Sequence, residues 1–254
     1  MHKQTKNLQK FYDNQAEKFS GTRKRHWPEF DHIVSHIKKF FPTKKDLRIL
    51  ELGCGDGRLL WVLESALGKT ITYTGVDISY NLLEIANKNN SHARWVHKDM
   101  VTYFNEIGKE EFDVVIAVAS FHHLPTVQER WYVLDGIYEA LSYDGIYIMT
   151  NRCYSDWFKD KYRVEIRSAS WKSMATLGYY NKNDIMIPWK DSQWVLISNR
   201  LYHIFSISEL NRLTQASGFS NIQHFYVDNE WKETQNVKEG RNVVSVMRKR
   251  IYRD

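Results

Sequence analysis

The feature that most constrains the fold is a glycine-rich turn at residues 51–57, with the sequence ELGCGDG. It follows a strand-like apolar run that begins at Leu47 and precedes a helical pattern. Gly53, Gly55 and Gly57 let the backbone turn tightly and approach a ligand more closely than a side chain would allow. Such a turn between a strand and a helix is typical of a nucleotide-binding βα unit.

From Leu47 onward, short β-rich runs alternate with amphipathic patterns, which predicts βαβ units and a parallel sheet. The run at 114–118 is continuously apolar, as in a central strand covered on both faces. We therefore predict an α/β fold with a Rossmann-like seven-stranded sheet and helices on both faces. The predicted strands are 47–52, 71–77, 93–97, 112–119, 145–151, 222–227 and 242–248, the last two as an antiparallel hairpin at the sheet edge. The predicted helices are 58–67, 80–89 with Ser79 as N-cap, 127–141, and 208–217 with Ser208 as N-cap and Gly218 as stop.

Two regions lie outside this predicted core within a single domain, 1–254. Residues 1–45 are basic and aromatic, and residues 152–206 form a Trp- and Tyr-rich insertion after the fifth strand. Open α/β sheets bind ligands at the carboxyl ends of their strands. We expect the first region to be a cap and the second a substrate lid, beside a ligand-binding core at 46–151 and a C-terminal helix with edge strands at 207–254.

Composition excludes several classes of protein. No stretch has the roughly 18 to 20 apolar residues of a membrane-spanning helix, and the Lys-rich N-terminus lacks a signal-peptide core, so we expect a cytoplasmic protein. Cys54 and Cys153 have no CxxC spacing, which argues against a disulfide framework or a cysteine zinc site, and we predict no metal. The net charge of +6 favours a polyanionic partner but also fits a solvated basic surface.

The glycine pattern distinguishes between two cofactors. A dinucleotide fingerprint needs its third glycine at position 58, where this chain has Arg58. The pattern instead resembles motif I of class I S-adenosylmethionine (SAM) methyltransferases. A sulfonium and an α-ammonium group favour nearby carboxylates, whereas a pyrophosphate favours backbone amides. Glu51 and Asp56 therefore suit SAM better.

Acidic residues also stand at the end of the second predicted strand and just after the third. Asp77, followed by Ile78, can accept both ribose hydroxyls, a role common to SAM and NAD sites. Class I methyltransferases often place an Asp after the third strand on the adenine amine, and Asp99 with Met100 fits that role. Each acid taken alone also suits a helix or turn cap. The predicted cofactor residues are Glu51, Gly53, Gly55, Asp56, Gly57, Asp77, Ile78, Asp99, Met100 and Ala117.

The loop at 117–125, after the fourth strand, addresses the methyl acceptor. It lacks the Asn-Pro-Pro-Tyr-like tetrapeptide of adenine amino-methyltransferases, and no cysteine is placed to act as a pyrimidine C5 nucleophile. His122 and His123 suit a base or an orienting group, since imidazole titrates near neutral pH. The alternative is that one caps the next helix and the other packs under a lid. Ser120 is interpreted as a turn residue, because methyl transfer needs no covalent intermediate.

Five phrases carry a more specific resemblance: FYD at 11–13, FSGTRKRHWP at 19–28, ASFHHL at 119–124, DIMIPW at 184–189 and RLYHIF at 200–205. They resemble successive signatures of the tRNA wobble-uridine carboxymethyl methyltransferases, which include the methyltransferase domain of the AlkB-like fusion protein. The similarity spans nearly the whole chain. It implies SAM-dependent esterification of 5-carboxymethyluridine in tRNA, with a small zinc-binding activator subunit as a further partner.

The resemblance also implies catalytic residues. A carboxylate acceptor is ionised at pH 7 and needs no general base, so the enzyme has mainly to align it and exclude water. We predict Arg23, His122 and Arg200 as catalytic, with Arg25 as a further candidate, because guanidinium suits carboxylate or phosphate. Ordinary surface charge is the alternative for Arg23 and Arg25.

Two departures from the family keep other functions open. Asp56 stands where the family commonly has Asn, and the insertion before Pro188 does not align in detail. The alternatives are a small-molecule carboxyl, O- or N-methyltransferase and a catalytically silent SAM-fold RNA-binding subunit. The intact set Glu51, Asp77 and Asp99 argues against the silent subunit.

Overall fold

The computed structural model describes residues 2–22, 27–107, 112–175, 181–190 and 193–249. The strands in this part of the chain are β1 (Asp46–Leu52), β2 (Thr70–Asp77), β3 (Arg94–His97), β4 (Phe112–Val118), β5 (Leu141–Arg152), β6 (Asp184–Lys190), β7 (Leu196–His203), β8 (Ser220–Val227), β9 (Glu233–Thr234) and β10 (Asn242–Arg248). The helices are α1 (Lys3–Gly21), α2 (Glu29–Phe40), α3 (Arg58–Leu67), α4 (Tyr80–Asn89), α5 (Met100–Glu106), α6 (Val127–Ala140), α7 (Asp156–Lys161), α8 (Arg163–Ala175) and α9 (Ile207–Ala216), with a 3-10 turn at Phe121–His123.

One large sheet has the strand order β3-β2-β1-β4-β5-β10-β8-β9. The first five strands in this order are parallel, so their carboxyl ends meet at one edge, and β10 pairs antiparallel with both β5 and β8. The predicted α/β fold is confirmed. The sheet gains an eighth strand because the two-residue β9 pairs with β8, and β10 lies inside the sheet rather than at its edge.

Several predicted element boundaries differ from the structure, and two of these differences have a clear physical cause. The last long helix begins after Ser206, not after Ser208, because the Ser206 hydroxyl accepts a hydrogen bond of 3.2 Å from the Glu209 amide. The fifth strand begins at Leu141 instead of Gly145, since Leu141 already pairs with Phe112 of β4. The predicted starts of α3, α4 and α6 and the N-cap at Ser79 are confirmed.

The core consists of a layer on each face of the sheet, because successive strand residues point to opposite faces. Val115 and Ala117 pack in one cluster with Leu134 of α6. Their neighbours Val114 and Ile116 pack in the other cluster, which includes residues of α2 and α3. The central strand β4 is therefore buried along its whole length.

The N-terminal helix and part of the insertion pack at the edge where the parallel strands end. Asp13 of α1 accepts a hydrogen bond of 2.8 Å from the Ser79 hydroxyl at the start of α4. The hairpin formed by β6 and β7 reaches α1 through an edge contact of 5.5 Å between the Trp189 and Phe11 ring centroids. Among the described residues, no helix combines the length and apolar character that a membrane crossing requires.

Candidate functional site

A cavity of about 350 Å³ lies at the carboxyl ends of the parallel strands. The turn after β1, the turn after β4, α1 and β7 all contribute to its wall. This is the edge at which open α/β sheets bind ligands. The acidic residues at the carboxyl ends of β1, β2 and β3 form one side, and the histidines after β4 with Arg200 of β7 form another.

The glycine-rich turn follows β1 closely. Gly53, Gly55 and Gly57 have φ values of 76°, 57° and 73°, in the left-handed region that favours glycine. A Cβ at position 53 would fall 2.4 Å from the Cβ of Ser120, so no side chain fits there without moving the turn after β4. At Gly53 the main chain itself therefore forms the cavity wall between β1 and β4.

Asp77 bridges the turns after β1 and β2. Its Oδ2 accepts a hydrogen bond of 2.8 Å from the Gly55 amide, and its Oδ1 accepts one of 2.8 Å from the Ser79 amide. Burial raises the pKa of Asp77 to about 6. Each carboxylate oxygen has a second lone pair, so Asp77 can still accept hydrogen bonds from a ligand in the cavity.

Glu51 lies deepest among the acids of the cavity wall, at 3% exposure. The Tyr73 hydroxyl donates a hydrogen bond to its Oε2. The pKa of Glu51 is raised to about 8, chiefly by burial; the Tyr73 hydrogen bond and the charge of Arg58 lower it, and the Asp77 and Asp56 carboxyls raise it. A cationic ligand in the cavity would favour the ionised form of Glu51.

Asp56 has a partner within the chain. Arg58 holds its carboxylate through two hydrogen bonds, 2.8 Å from Nε and 2.9 Å from Nη2. The Arg58 guanidinium also lies over the rings of Phe19 and Trp27, at 5.7 and 5.5 Å from their centroids. Asp56 lines the cavity, but Arg58 offsets much of its charge.

Asp99 and Met100 lie on the cavity wall after β3. The Asp99 carboxylate caps α5, accepting bonds of 3.1 Å from the amides of Val101 and Thr102 and of 2.5 Å from the Thr102 hydroxyl. The capping role and the predicted position at a ligand site therefore coincide in one residue. Ile78, after Asp77, also lines the cavity.

Two predicted cofactor residues lie behind the cavity wall. A Cβ at Gly57 would fall 2.4 Å from the Trp95 ring, so this glycine serves the packing of α3 against β3. Ala117 is fully buried in the core cluster beneath α6, because the alternation of β4 points it away from the site. The wall after β4 is formed by Val118, Ala119 and Ser120 instead.

The turn after β4 is tightly fixed. Ala119 has φ of 50°, and its amide donates a hydrogen bond of 3.0 Å to the Thr150 carbonyl. The Ser120 hydroxyl donates one of 2.6 Å to the Leu52 carbonyl, as expected of a turn residue. Positive φ in a non-glycine residue costs about 1–3 kcal/mol and is concentrated at functional sites.

His122 is buried at 1% exposure, and neither ring nitrogen has a hydrogen-bond partner among the described residues. Its ring stacks on Tyr202, with centroids 4.6 Å apart. Burial lowers the pKa of His122 well below its ordinary value, and the charges of Arg152 and Arg200 act in the same direction. His122 is therefore neutral, and the residue forms part of the cavity wall.

His123 has one nitrogen engaged and one unpartnered. Its Nδ1 lies 2.7 Å from the Leu201 carbonyl oxygen, while its Nε2 is buried with no partner among the described residues. Burial, followed by the charge of Arg200, lowers the pKa of His123 to about 3. A neutral imidazole beside a carbonyl carries its proton on Nδ1, which leaves Nε2 as an acceptor.

Arg200 is a buried cation, at 8% exposure, on the cavity wall. It lies over the rings of Trp189, Tyr202 and Phe11, at 4.6, 5.2 and 5.3 Å, and its Nη1 donates a bond of 3.3 Å to the Tyr12 hydroxyl. Its Nε has no partner, and no carboxylate of the described residues lies within 4.0 Å of it. A buried charge normally needs an opposite charge, so this arrangement favours an anionic ligand.

Sequence reasoning overlooked two residues of this wall. Arg152 lines the cavity at the end of β5, and its Nη1 donates a bond of 3.1 Å to Asn242. Its position directly after the predicted fifth strand was the signal that could have identified it. Tyr12 belongs to the phrase at 11–13, from which only a family resemblance was inferred. Arg23 and Arg25 lie outside the described residues.

The described residues contain no group of three or more His, Cys, Asp or Glu side chains arranged to hold a metal ion. Cys54 and Cys153 are both buried free thiols. Burial raises the pKa of each thiol, and for Cys153 the value is about 11. The candidate functional groups among the described residues are therefore the acidic and basic side chains of the cavity wall.

Comparison with known proteins shows to which protein family the central part of the chain is similar. Residues 50–147 match a family model described as a methyltransferase domain. This chain contains a methyltransferase domain. This match confirms the methyltransferase domain predicted from the sequence. Solved structures of the same fold include SAM-dependent methyltransferases.

Two curated relatives match most of the methyltransferase chain. The tRNA (carboxymethyluridine(34)-5-O)-methyltransferase alkbh8 of Xenopus tropicalis is 24% identical over 87% of this chain, which spans 39% of that protein's length. The tRNA (carboxymethyluridine(34)-5-O)-methyltransferase of Schizosaccharomyces pombe is 22% identical, over 87% of this chain and 91% of its own. The resemblance to this family that the sequence indicated is confirmed.

Solved structures share the fold of the methyltransferase chain at low sequence identity. A SAM-dependent methyltransferase of Methanosarcina mazei has a TM-score of 0.65 and 16% identity, over 85% of this chain and 98% of its own. A complex between the Haloferax volcanii Trm112 methyltransferase activator and a putative methyltransferase gives a TM-score of 0.63 and 14% identity, over 97% and 99% of the two chains.

Proposed function

We propose that the protein transfers a methyl group from SAM to the carboxylate of a 5-carboxymethyl wobble uridine, or a related modified nucleoside, in cytoplasmic tRNA. The observation that carries this proposal is Arg200, a buried cation on the cavity wall without a carboxylate partner among the described residues. The two curated relatives, named for the same chemistry, support the choice of acceptor.

The acidic side of the cavity suits the cofactor. Asp77 has lone pairs left for ribose hydroxyls, and Asp99 with Met100 offers an acceptor and an apolar surface for adenine. Glu51, whose pKa burial raises to about 8, is placed to compensate a cationic ligand, and Gly53 leaves room for its close approach. These features fit SAM, which supplies a methyl group on a sulfonium.

The basic side of the cavity suits the acceptor. Arg200 can bind a carboxylate through its planar fork, and the surrounding rings of Tyr12, Tyr202 and Trp189 keep water away. A carboxylate oxygen is already ionised at neutral pH, so no base has to remove a proton. His122, neutral because of its burial, is assigned to orienting the acceptor. Rate enhancement then comes from alignment of oxygen, methyl carbon and sulfur.

Labelled SAM distinguishes this function from its alternatives. The purified protein is incubated with total tRNA and, separately, with a metabolite extract, and the labelled product is identified after digestion. A labelled methyl ester of carboxymethyluridine is expected. Label only in the metabolite pool would refute the tRNA acceptor and favour a small-molecule methyltransferase. A protein that binds no SAM in calorimetry would favour the silent subunit.

We infer that tRNA is the partner of the exposed insertion. Trp157, Trp171 and Trp194 are exposed at 47%, 71% and 80%, and Lys161 and Lys190 lie 4.6 and 5.7 Å from the first and third of these rings. Bases stack on exposed aromatic rings, and nearby cations bind phosphate. Affinity for tRNA should fall with added salt and after Trp194→Ala. Arg23, from the N-terminal phrase, remains a proposed contact to the same RNA.

A small activator subunit is the second proposed partner. The sequence resemblance implies one, and a solved structure of similar fold is a complex of a methyltransferase with the Trm112 activator. Co-expression with the homologous activator of the source organism should raise the yield and the activity of the protein. Unchanged activity and no co-purification would contradict this partner.

A further inference from the structure

His123 lines the cavity, and one of its two ring nitrogens is engaged by the main chain of β7. The Leu201 carbonyl, 2.7 Å from Nδ1, can only accept a hydrogen bond, so the ring proton of a neutral His123 stays on Nδ1. The opposite nitrogen, Nε2, is buried and has no partner among the described residues. Burial and the charge of Arg200 lower the pKa of His123 to about 3, so the ring is neutral at physiological pH.

A buried hydrogen-bond acceptor without a partner, such as His123 Nε2, restricts which ligand groups can bind next to it. A carboxylate oxygen would face the Nε2 lone pair with its own lone pairs, so the anionic group of the substrate belongs at Arg200 and not at His123. A buried acceptor left unpaired costs about 1–3 kcal/mol, which a donor on the ligand removes. The nitrogen therefore favours an N–H or O–H group.

Arg200 and His123 belong to the same wall. The Tyr12 hydroxyl accepts a bond from Arg200, and the Tyr12 ring meets the His123 ring at 6.4 Å between centroids. Tyr202 contacts both residues, at 5.2 Å from the guanidinium carbon and 4.5 Å between ring centroids. A single ligand can therefore engage the cation and the neutral acceptor together.

We propose that His123 Nε2 is a binding subsite for a hydrogen-bond donor of the methyl acceptor, separate from the anion site at Arg200. This inference rests on the proposed function and specifies it. A carboxymethyluridine offers two such donors, the imide N3–H of the base and the ribose 2′-hydroxyl. The acidic residues assigned to SAM lie at the carboxyl ends of β1, β2 and β3, so the donor at His123 comes from the acceptor and not from the cofactor.

The substitution His123→Asn isolates the subsite. An Asn amide N–H can keep the bond to the Leu201 carbonyl, but the side chain is too short to present an acceptor where Nε2 lies. His123→Gln reaches that position and restores an acceptor oxygen. Both variants are first compared with wild type in thermal unfolding and in affinity for S-adenosylhomocysteine, which controls for folding and for the cofactor half of the site.

The assay uses three anticodon stem-loop oligonucleotides with carboxymethyluridine, one unmodified elsewhere, one methylated at N3 and one at the 2′-oxygen. For the parent oligonucleotide, His123→Asn is expected to lower kcat/KM by about tenfold or more with an unchanged KM for SAM, and His123→Gln to recover part of the loss. For the wild-type protein, kcat/KM for one of the two methylated oligonucleotides should be lower than for the parent oligonucleotide by a similar factor. The Asn variant should not distinguish that oligonucleotide from the parent.

Two outcomes overturn the subsite. One is a kcat/KM of His123→Asn within twofold of wild type, and the other is undiminished discrimination against the methylated oligonucleotide in that variant. Wild type that methylates none of the three oligonucleotides contradicts the proposed function itself, and the uridine donor with it. Failure of the proposed function can be distinguished from failure of the subsite, because it is seen with the wild-type protein before any variant is assayed.

Discussion

Arg200 of β7 donates a hydrogen bond of 3.3 Å to the hydroxyl of Tyr12 in α1. This contact joins two segments 188 residues apart in the sequence over a single cavity. It holds the guanidinium in place while leaving Nε without a partner among the described residues. The N-terminal helix and the hairpin of β6 and β7 therefore build the acceptor side together.

Removal of the Arg200 charge should weaken binding of the acceptor more than binding of SAM. A hydrogen bond to a charged group contributes about 1.5–3 kcal/mol, so Arg200→Gln is expected to lower kcat/KM for the acceptor roughly 10- to 150-fold. Arg200→Lys should lose less, since it keeps the charge without the planar fork. Steady-state kinetics with varied acceptor and varied SAM measure both effects. The matched control is Arg212→Gln, on the exposed face of α9, and equal losses in the two variants would refute the assignment.

Loss of Asp13 should release α1 from α4. Its Oδ1 accepts bonds from the Ser79 hydroxyl and the Asn81 amide, at 2.8 and 3.3 Å. Each such bond contributes about 0.5–1.5 kcal/mol. We expect Asp13→Ala to speed amide hydrogen exchange across 3–21 and to reduce SAM affinity, while Glu17→Ala on the exposed face of the same helix does neither. Unchanged exchange in Asp13→Ala would show that other contacts hold the helix.

Glu51 should make stability depend on pH. Burial raises its pKa from the ordinary 4.5 to about 8, so the folded state binds the proton more tightly than the unfolded state. The stabilisation is complete below about pH 4.5 and is lost as pH rises through about 8. The free energy of unfolding of ligand-free protein should therefore decrease over this range, with a slope approaching about 1.4 kcal/mol per pH unit for one proton. Asp77, with its pKa raised to about 6, adds the same trend at lower pH.

Urea unfolding between pH 5 and 8.5 measures this slope. Glu51→Gln should flatten it, and Glu17→Gln, at an exposed position, should not. SAM affinity should rise over the same range in wild type, because a cationic ligand favours the ionised carboxyl. Identical slopes for wild type and Glu51→Gln would exclude Glu51 as the titrating group.

Alanine substitutions at two glycines with similar backbone conformations distinguish the cost of backbone strain from the cost of a steric clash. Gly53 and Gly68 have φ of 76° and 59°, but a Cβ at Gly53 meets Ser120 at 2.4 Å whereas nothing lies within 4 Å of one at Gly68. Left-handed backbone alone costs a non-glycine residue about 1–2 kcal/mol. Gly53→Ala should therefore destabilise by about 1–3 kcal/mol more than Gly68→Ala and abolish SAM binding. Calorimetry and urea unfolding test this, and equal effects of the two variants would contradict the close approach.

Much of the fold follows from local pattern. The alternation of apolar runs and helical periods predicted the five parallel strands, and the Ser79 cap predicted the start of α4. The prediction of Ser208 as the cap of α9 was wrong, because Ser208 lies within the first turn of the helix and the Ser206 hydroxyl accepts the bond from the Glu209 amide. The place of β10 between β5 and β8 depends on pairing between distant strands, which local pattern does not encode.

The sequence by itself determined the cofactor side of the site. Glycines and acids at the carboxyl ends of successive parallel strands must meet at one sheet edge, so Glu51, Asp77 and Asp99 could be grouped from their spacing alone. Only the tertiary structure decided how the acceptor side is assembled, because Tyr12, His123, Arg152 and Arg200 come from separate segments of the chain. It also decided charge and tautomer, because burial and a partner such as the Leu201 carbonyl exist only once those segments have packed together.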